Sequence, residues 1–185
     1  MRIIGGEARS RQIDAPKGMD TRPTLDRVRE TVFDVIQFKV AGMDVLDLFA
    51  GSGAYGLEAL SRGARSAVFN DHSPAARRVI EKNIDRLGYR EKTETIGLDA
   101  HKALDLLGER GLSFGLIFLD PPYRMSMDSV LTKILFLSLL SQNGIVIAEY
   151  SDIAPEVPGG MTIFKAKKAG MTHIAFIRLG SEEEA

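Results

Sequence analysis

Val45-Leu46-Asp47-Leu48-Phe49-Ala50-Gly51-Ser52-Gly53-Ala54-Tyr55-Gly56 is the stretch that decides the fold. Residues 45–49 form an apolar run broken only by Asp47 and read as a buried strand. Gly51, Gly53 and Gly56 follow with G-x-G-x-x-G spacing, and residues 54–61 read as a helix stopped by Gly63. Strand, glycine turn and helix in that order is the context in which this spacing carries meaning. Glycine permits the tight turn, and its bare backbone lets a nucleotide-type ligand approach closely.

The alternation continues downstream. Residues 67–69 read as a second strand, and Pro74 opens a helix that runs to Gly88 through Val79, Ile80, Ile84 and Leu87. A third strand over 93–98, a short helix over 100–107 and a fourth strand over 114–119 follow. A helix over 127–140 leads through Asn143-Gly144 into a fifth strand over 145–148. Two β-like runs, 162–165 and 174–177, have only a loop between them and read as an antiparallel hairpin at the sheet edge. Upstream, residues 1–20 read as a hairpin-like extension. Thr24 is placed to cap a helix with Leu25, Val28, Val32, Val35 and Ile36 at helical spacing, ended by Gly42.

Alternating strands and helices imply a parallel sheet covered on both faces. Five βα units closing on a hairpin is the layout of the S-adenosylmethionine-dependent methyltransferase fold. The expectation is thus an α/β, Rossmann-like, seven-stranded, mostly parallel sheet. It has a C-terminal antiparallel hairpin and a small N-terminal β-hairpin and helix extension. A nicotinamide-dependent oxidoreductase would continue with a sixth parallel strand. At 185 residues one domain is expected. Its parts are a basic extension over 1–40, a catalytic core over 41–180 and an acidic tail over 181–185.

The fourth strand ends in Asp120-Pro121-Pro122-Tyr123. A carboxylate, a stiffened backbone and a flat ring at one sheet rim are the parts needed to hold a planar amino group for attack on an electrophile. Other acids stand at predicted strand ends: Asp47 before the glycine turn, Asp71 about twenty residues beyond it, and Asp99 after the third strand. A carboxylate at Asp71 can accept bonds from ribose hydroxyls, and one at Asp99 from an adenine amine. In doubly wound sheets ligands bind at these carboxyl ends, so the acids would converge on one cleft. Asp71 and Asp99 also suit plain helix N-caps.

Composition bounds the chemistry. The net charge is -1, yet Arg2, Arg9, Arg11, Lys17, Arg22, Arg27 and Arg29 crowd the first thirty residues, a candidate phosphate-binding face. There is no cysteine, and His72, His101 and His173 lack ligand-like spacing, so no metal is expected. Arg2-Ile3-Ile4-Gly5-Gly6 does not open a secretory signal. The apolar stretch around residues 134–140 is too short to span a bilayer. A cytoplasmic protein without a membrane partner is expected.

Asp47-Leu48-Phe49-Ala50-Gly51-Ser52-Gly53 together with Asp120-Pro121-Pro122-Tyr123 resembles the amino-methyltransferases. Arg2-Ile3-Ile4-Gly5-Gly6, Thr21-Arg22-Pro23-Thr24-Leu25-Asp26-Arg27-Val28-Arg29-Glu30 and Gly56-Leu57-Glu58-Ala59-Leu60-Ser61-Arg62-Gly63 narrow the resemblance to the bacterial RsmD family, over nearly the whole chain. That family methylates N2 of one guanine in 16S ribosomal RNA.

The resemblance implies S-adenosyl-L-methionine as cofactor, S-adenosyl-L-homocysteine as product, no metal, and 16S ribosomal RNA or the small ribosomal subunit as partner of a monomer. Asp47, Phe49, Gly51 and Gly53 would surround the methionine part. Asp71 would hold the ribose, Asp99 with Ala100 the adenine, and Asp120, Pro121, Pro122 and Tyr123 would form the catalytic loop. Arg9, Arg11, Arg22, Arg27 and Arg29 are candidates for RNA phosphates. Some relatives carry Glu where Asn70 stands here and another acid where His72 stands, so the ribose role falls to Asp71 or Asn70. Rival readings are another amino-methyltransferase acting on a DNA base or a protein glutamine, a nicotinamide oxidoreductase, and a non-catalytic RNA-binding assembly factor.

Overall fold

A computed structural model of the chain describes residues 1–16, 23–122 and 125–180, with backbone only at 23–25. Its strands are β1 (Asp44–Asp47), β2 (Ser66–Asn70), β3 (Thr93–Ile96), β4 (Phe114–Leu119), β5 (Leu140–Tyr150), β6 (Met161–Ala169) and β7 (Thr172–Leu179). They form one sheet in the order β3-β2-β1-β4-β5-β7-β6. β1 to β5 pair in parallel, while β7 runs antiparallel to both β5 and β6. This is the S-adenosylmethionine-dependent methyltransferase fold expected from the sequence. The closing hairpin does not simply append to the edge: its second strand inserts beside β5 and its first becomes the edge.

Side chains alternate across the sheet, so each strand feeds two cores. Val45, Phe69, Leu116, Phe118, Ile147 and Phe176 face one way, against α1 (Pro23–Ile36), α2 (Ala54–Ser61), α3 (Pro74–Leu87) and the N-terminal segment. Leu46, Val68, Ile117, Leu119, Val146 and Ile177 face the other way, against α4 (Ala100–Glu109) and α5 (Asp128–Phe136). No helix among the described residues is long and apolar enough to cross a membrane.

Two expected boundaries move. α1 begins at Pro23, so Thr24 lies inside its first turn rather than before it, and a 3-10 turn over Gln37–Lys39 follows before Gly42. The helix expected over 127–140 stops at Phe136. Ser138 adopts φ +54, and the amides of Ser138 and Leu139 bond back to Leu135 and Ile134. That is a left-handed helix stop without the usual glycine. Leu140 then starts β5, and Asn143-Gly144 sits at an irregularity inside that strand.

The N-terminal segment folds back on itself. The amide of Ile3 bonds to Arg11, that of Ser10 to Ile3 and that of Ile13 to Met1. It is pinned to α2 by Glu58, which is fully buried and accepts the amides of Ile4 and Gly5 at 2.8 Å each. Glu58 also pairs with Arg62 at 2.8 Å and lies 3.7 Å from the buried Arg29. Gly6 is required here: at φ +77, a Cβ would collide with the carbonyl of Ser61. Asn83 of α3, also buried, bonds both backbone groups of Asp14 and the carbonyl of Ser52.

Replacing Glu58 by Gln removes the buried charge that faces both Arg29 and Arg62, leaving Arg29 only Asp26, and breaking a buried ion pair costs about 3–5 kcal/mol. Urea unfolding of Glu58→Gln is expected to show a loss near that size. A loss under about 1 kcal/mol, the range of exposed pairs, would contradict the pinning role.

Candidate active site

Acidic residues stand in a row along the carboxyl edge of the sheet. Read across β3, β2, β1, β4 and β5, they are Asp99, Asp71, Asp47, Asp120 and Glu149. At ~4.8 Å per strand, the row spans roughly 19 Å.

The glycine turn lies at its centre and is fixed by two of these acids. Asp47 is buried, and its carboxylate accepts the amide of Gly56 at 3.1 Å. Asp71 accepts the amide of Gly51 at 2.9 Å and that of Ser73 at 2.8 Å. Gly51 and Gly53 have φ of +55 and +78, which favours glycine. Gly56 answers a different need: a Cβ there would run into the Phe69 ring, so glycine lets α2 close on β2. The three glycines thus divide into turn and packing roles.

Asn70 is buried and zips neighbouring strand ends together. Its amide nitrogen donates to the carbonyl of Leu48, and its oxygen accepts the amide of Leu98. Asp71, by contrast, keeps acceptor capacity at the end of β2, because each carboxylate oxygen has a second acceptor site. Ser73, rather than Asp71, is the N-cap of α3. Asp99 does cap α4, accepting the amide of His101 at 2.9 Å, with buried Ala100 as the first helical residue.

Asp120 follows β4. The pairing of Leu119 with Ala148, carried one residue further, sets Asp120 level with Glu149 on the neighbouring strand. Glu149 was not singled out from the sequence, nor was Tyr55 beyond its place in the glycine motif. The Tyr55 hydroxyl donates to Glu149. Its ring stacks on Phe118 at 4.8 Å and 17°, with Phe33 of α1 beside both. An aromatic floor thus lies under the acids. The signal for Glu149 was available: it ends the apolar run of β5, as the other acids end theirs.

Burial raises Asp47, Asp120 and Glu149, and like charge adds to it at Asp47 and Glu149. Asp47 is pushed up to about 7, first by burial, then by the charges of Asp120 and Asp71, against the Gly56 hydrogen bond. Glu149 is raised by burial and then by the Asp120 charge, while the Tyr55 bond opposes. The Tyr55 phenol is driven well above its ordinary value by burial and by Glu149. Desolvation by the cleft walls also raises Asp120, but its residue opens to solvent on one side, which limits the displacement. Such a crowd of carboxylates suits a cationic ligand. S-adenosylmethionine, with its sulfonium and ammonium groups and elongated form, fits both the charge and the length of the row. Among the described residues no group of three or more acids and histidines is set to hold a metal ion.

Other expected residues disperse. Phe49 is half-buried toward the α4–α5 core, Pro121 is half-buried and Pro122 exposed. Tyr123 and Arg22 lie outside the described residues. Arg9 and Arg27 are exposed. Arg29 is a correction: it is 2% exposed, bonds the carbonyl of Arg2 at 2.6 Å and pairs with Asp26 at 2.9 Å, so it cannot reach a phosphate. Arg11 holds the last carbonyls of α3, at Arg86 and Leu87, where a cation is favoured.

A carboxyl that holds its proton more tightly folded than unfolded stabilises the fold while protonated. For Asp47, stability is full below about 4 and is lost as pH rises through about 7. Asp47→Asn keeps an acceptor for Gly56 but cannot ionise. Its unfolding free energy, measured by urea at stepped pH, is expected to fall less than that of the unaltered protein between pH 4 and 7. Identical pH dependences would contradict the buried-acid assignment.

The conserved hypothetical protein 95 family model matches residues 1–178. The chain is similar to the YlbH protein of Bacillus subtilis, 35% identical over 181 residues, covering 96% of this chain and 98% of that one. It is 34% identical over 178 residues to ribosomal RNA small subunit methyltransferase D of Escherichia coli, covering 92% and 85%. The solved structure of the yhhF protein of Escherichia coli superimposes with a TM-score of 0.86 at 30% identity, over 98% of this chain and 99% of that one. A matched family model over nearly the whole length, with relatives above 30% identity, makes this chain a member of the conserved hypothetical protein 95 family, the RsmD family that its motifs resemble.

Proposed function

We propose that this protein transfers the methyl group of S-adenosylmethionine to the exocyclic N2 amine of a guanine in 16S ribosomal RNA, as a monomer in the cytoplasm. The observation that carries the reading is adjacency. Asp47 at the end of β1 pairs with Phe118 on β4, so the glycine turn and the Asp120-Pro121-Pro122 loop are neighbours on one rim. One loop offers bare backbone to a cofactor, and the other offers acceptors to an amine. The Escherichia coli relative is named for methylation of small-subunit ribosomal RNA, which fits such an amine.

The cofactor supplies a methyl group already activated by its sulfonium, so the chemistry that remains concerns the nucleophile. In this reading Asp71, Asp99 and the Ala100 backbone hold the nucleoside end, and Asp47, Gly51 and Gly53 line the methionine end. The N2 lone pair of guanine is delocalised into the ring. Asp120 and the carbonyl of Pro121 can each accept one N2 hydrogen, which favours a pyramidal nitrogen with its lone pair aimed across the cleft. Alignment of this kind is worth up to ~7–11 kcal/mol in favourable intramolecular systems. Hydrogen bonds that strengthen as N2 gains positive charge stabilise the transition state further. Asp120 then takes the proton from a nitrogen made acidic by methylation.

Pro121 and Pro122 fix the loop backbone. Tyr123 is assigned to stacking on the flipped base, worth roughly 1–3 kcal/mol. The glycine turn under the cofactor does not depend on Asp120, because its amides are held by Asp47 and Asp71. Arg9 and Arg27, both exposed, are assigned to RNA phosphates, which position the RNA while the pocket reads the base.

Asp120→Ala is expected to lower methyl transfer by about 10²–10³-fold or more, the range for a lost preorganised electrostatic contact. Calorimetry is expected to find its S-adenosylmethionine affinity nearly unchanged. Near-normal transfer by the variant would remove the carboxylate from the mechanism.

A further inference from the structure

The β6–β7 hairpin carries a charge pattern unlike the rest of the chain. Residues 161–179 hold Lys165, Lys167, Lys168 and Arg178 and no Asp or Glu, in a protein of net charge -1. The three lysines are exposed, and among the described residues no carboxylate lies within ion-pair distance of them. β6 is antiparallel to β7, which is antiparallel to β5, so β6 runs in the same direction as the catalytic β4. Its lysine-bearing end therefore lies at the same rim as Asp120.

Register ties this end to the site. Lys167 pairs with Ile174, which pairs with Glu149. Lys168 pairs with His173, which pairs with Tyr150, the residue after Glu149. Paired residues share a face, so Tyr150, His173 and Lys168 form one row leading from beside the catalytic loop to the sheet edge. The Tyr150 and His173 rings stack at 5.3 Å and 26°, and both residues are half-exposed. At the hairpin tip Met171 is 85% exposed. Three strand spacings, ~14 Å, separate β4 from β6. Aromatic surface flanked by cations is the chemistry that takes single-stranded nucleic acid, rings for bases and lysines for phosphates.

We propose that the RNA strand flanking the target base runs along this row, with a base on the Tyr150–His173 ledge and phosphates on Lys168 and, around the free edge of β6, on Lys165 and Lys167, whose register places them on the opposite face. The inference rests on the ribosomal RNA reading above and adds a surface to it. Edge lysines also serve to block strand-to-strand aggregation. Glutamate at those positions would keep that block while repelling phosphate, which separates the two roles.

The test compares the full-length protein with Lys167→Glu/Lys168→Glu and with His173→Ala. Their affinity for protein-free 16S RNA and for undermethylated small ribosomal subunits is measured over a salt series, and their S-adenosylmethionine affinity by calorimetry as a check on folding. The double variant is expected to bind RNA at least ~10-fold more weakly. Its salt dependence should be shallower by about 1.4 in slope, at ~0.7 per lysine on single strands. His173→Ala is expected to lose affinity with its slope retained. Cofactor binding stays intact in both. A double variant with unaltered affinity and slope overturns the docking row and leaves the lysines as edge guards. An unaltered protein that binds cofactor but neither protein-free 16S RNA nor the small ribosomal subunit overturns the ribosomal RNA reading, and the row with it.

Discussion

Two carboxylates that grip backbone amides set the geometry on which the rest of the site depends. Asp47 holds Gly56 and Asp71 holds Gly51, so both ends of the glycine turn are anchored to strand ends. The turn cannot drift relative to β1 and β2, and α2 starts from a fixed point. Burying Asp47 for this purpose costs desolvation, which appears as its raised proton affinity. The same crowding of negative charge makes the rim a place where a cationic cofactor relieves repulsion. A structural device and a binding preference thus come from one set of atoms.

A second buried acid organises the opposite side of α2. Glu58 accepts the amides of Ile4 and Gly5 and faces Arg62 and Arg29. It joins the N-terminal segment to α2 and, through Arg29, to α1. Arg62 in turn lies over the Phe33 ring, whose neighbours are Tyr55 and Phe118 beneath the acids. The family-like segments at the N-terminus, in α1 and in α2 therefore meet in one buried network, and part of their specificity is architectural.

The fold was legible because its signals are local and strong. β4 and α2 were bounded from glycines, prolines and apolar runs alone. The end of α5 was not, because its left-handed stop falls on Ser138 instead of a glycine, and Leu139-Leu140 continue the apolar pattern across the break. Strand-end acids locate most of the cleft but not Glu149, because the apolar run of β5 stops at Ala148 while the strand itself continues to Tyr150. Arginines were harder to place. Arg27 and Arg29 look equivalent in sequence, but two residues of helix turn one to solvent and the other into the core. Charge marks a candidate for phosphate; only burial and partners decide whether the charge is free.

The methyl acceptor proposed for this protein is a base amine of small-subunit ribosomal RNA. The most direct measurement incubates the purified protein and methyl-labelled S-adenosylmethionine with undermethylated small ribosomal subunits, protein-free 16S RNA and DNA in parallel. The labelled position is then mapped. Label on N2 of a single guanine of 16S RNA is the predicted result. Label on DNA, on a ribosomal protein or on a ring position of a base would contradict it.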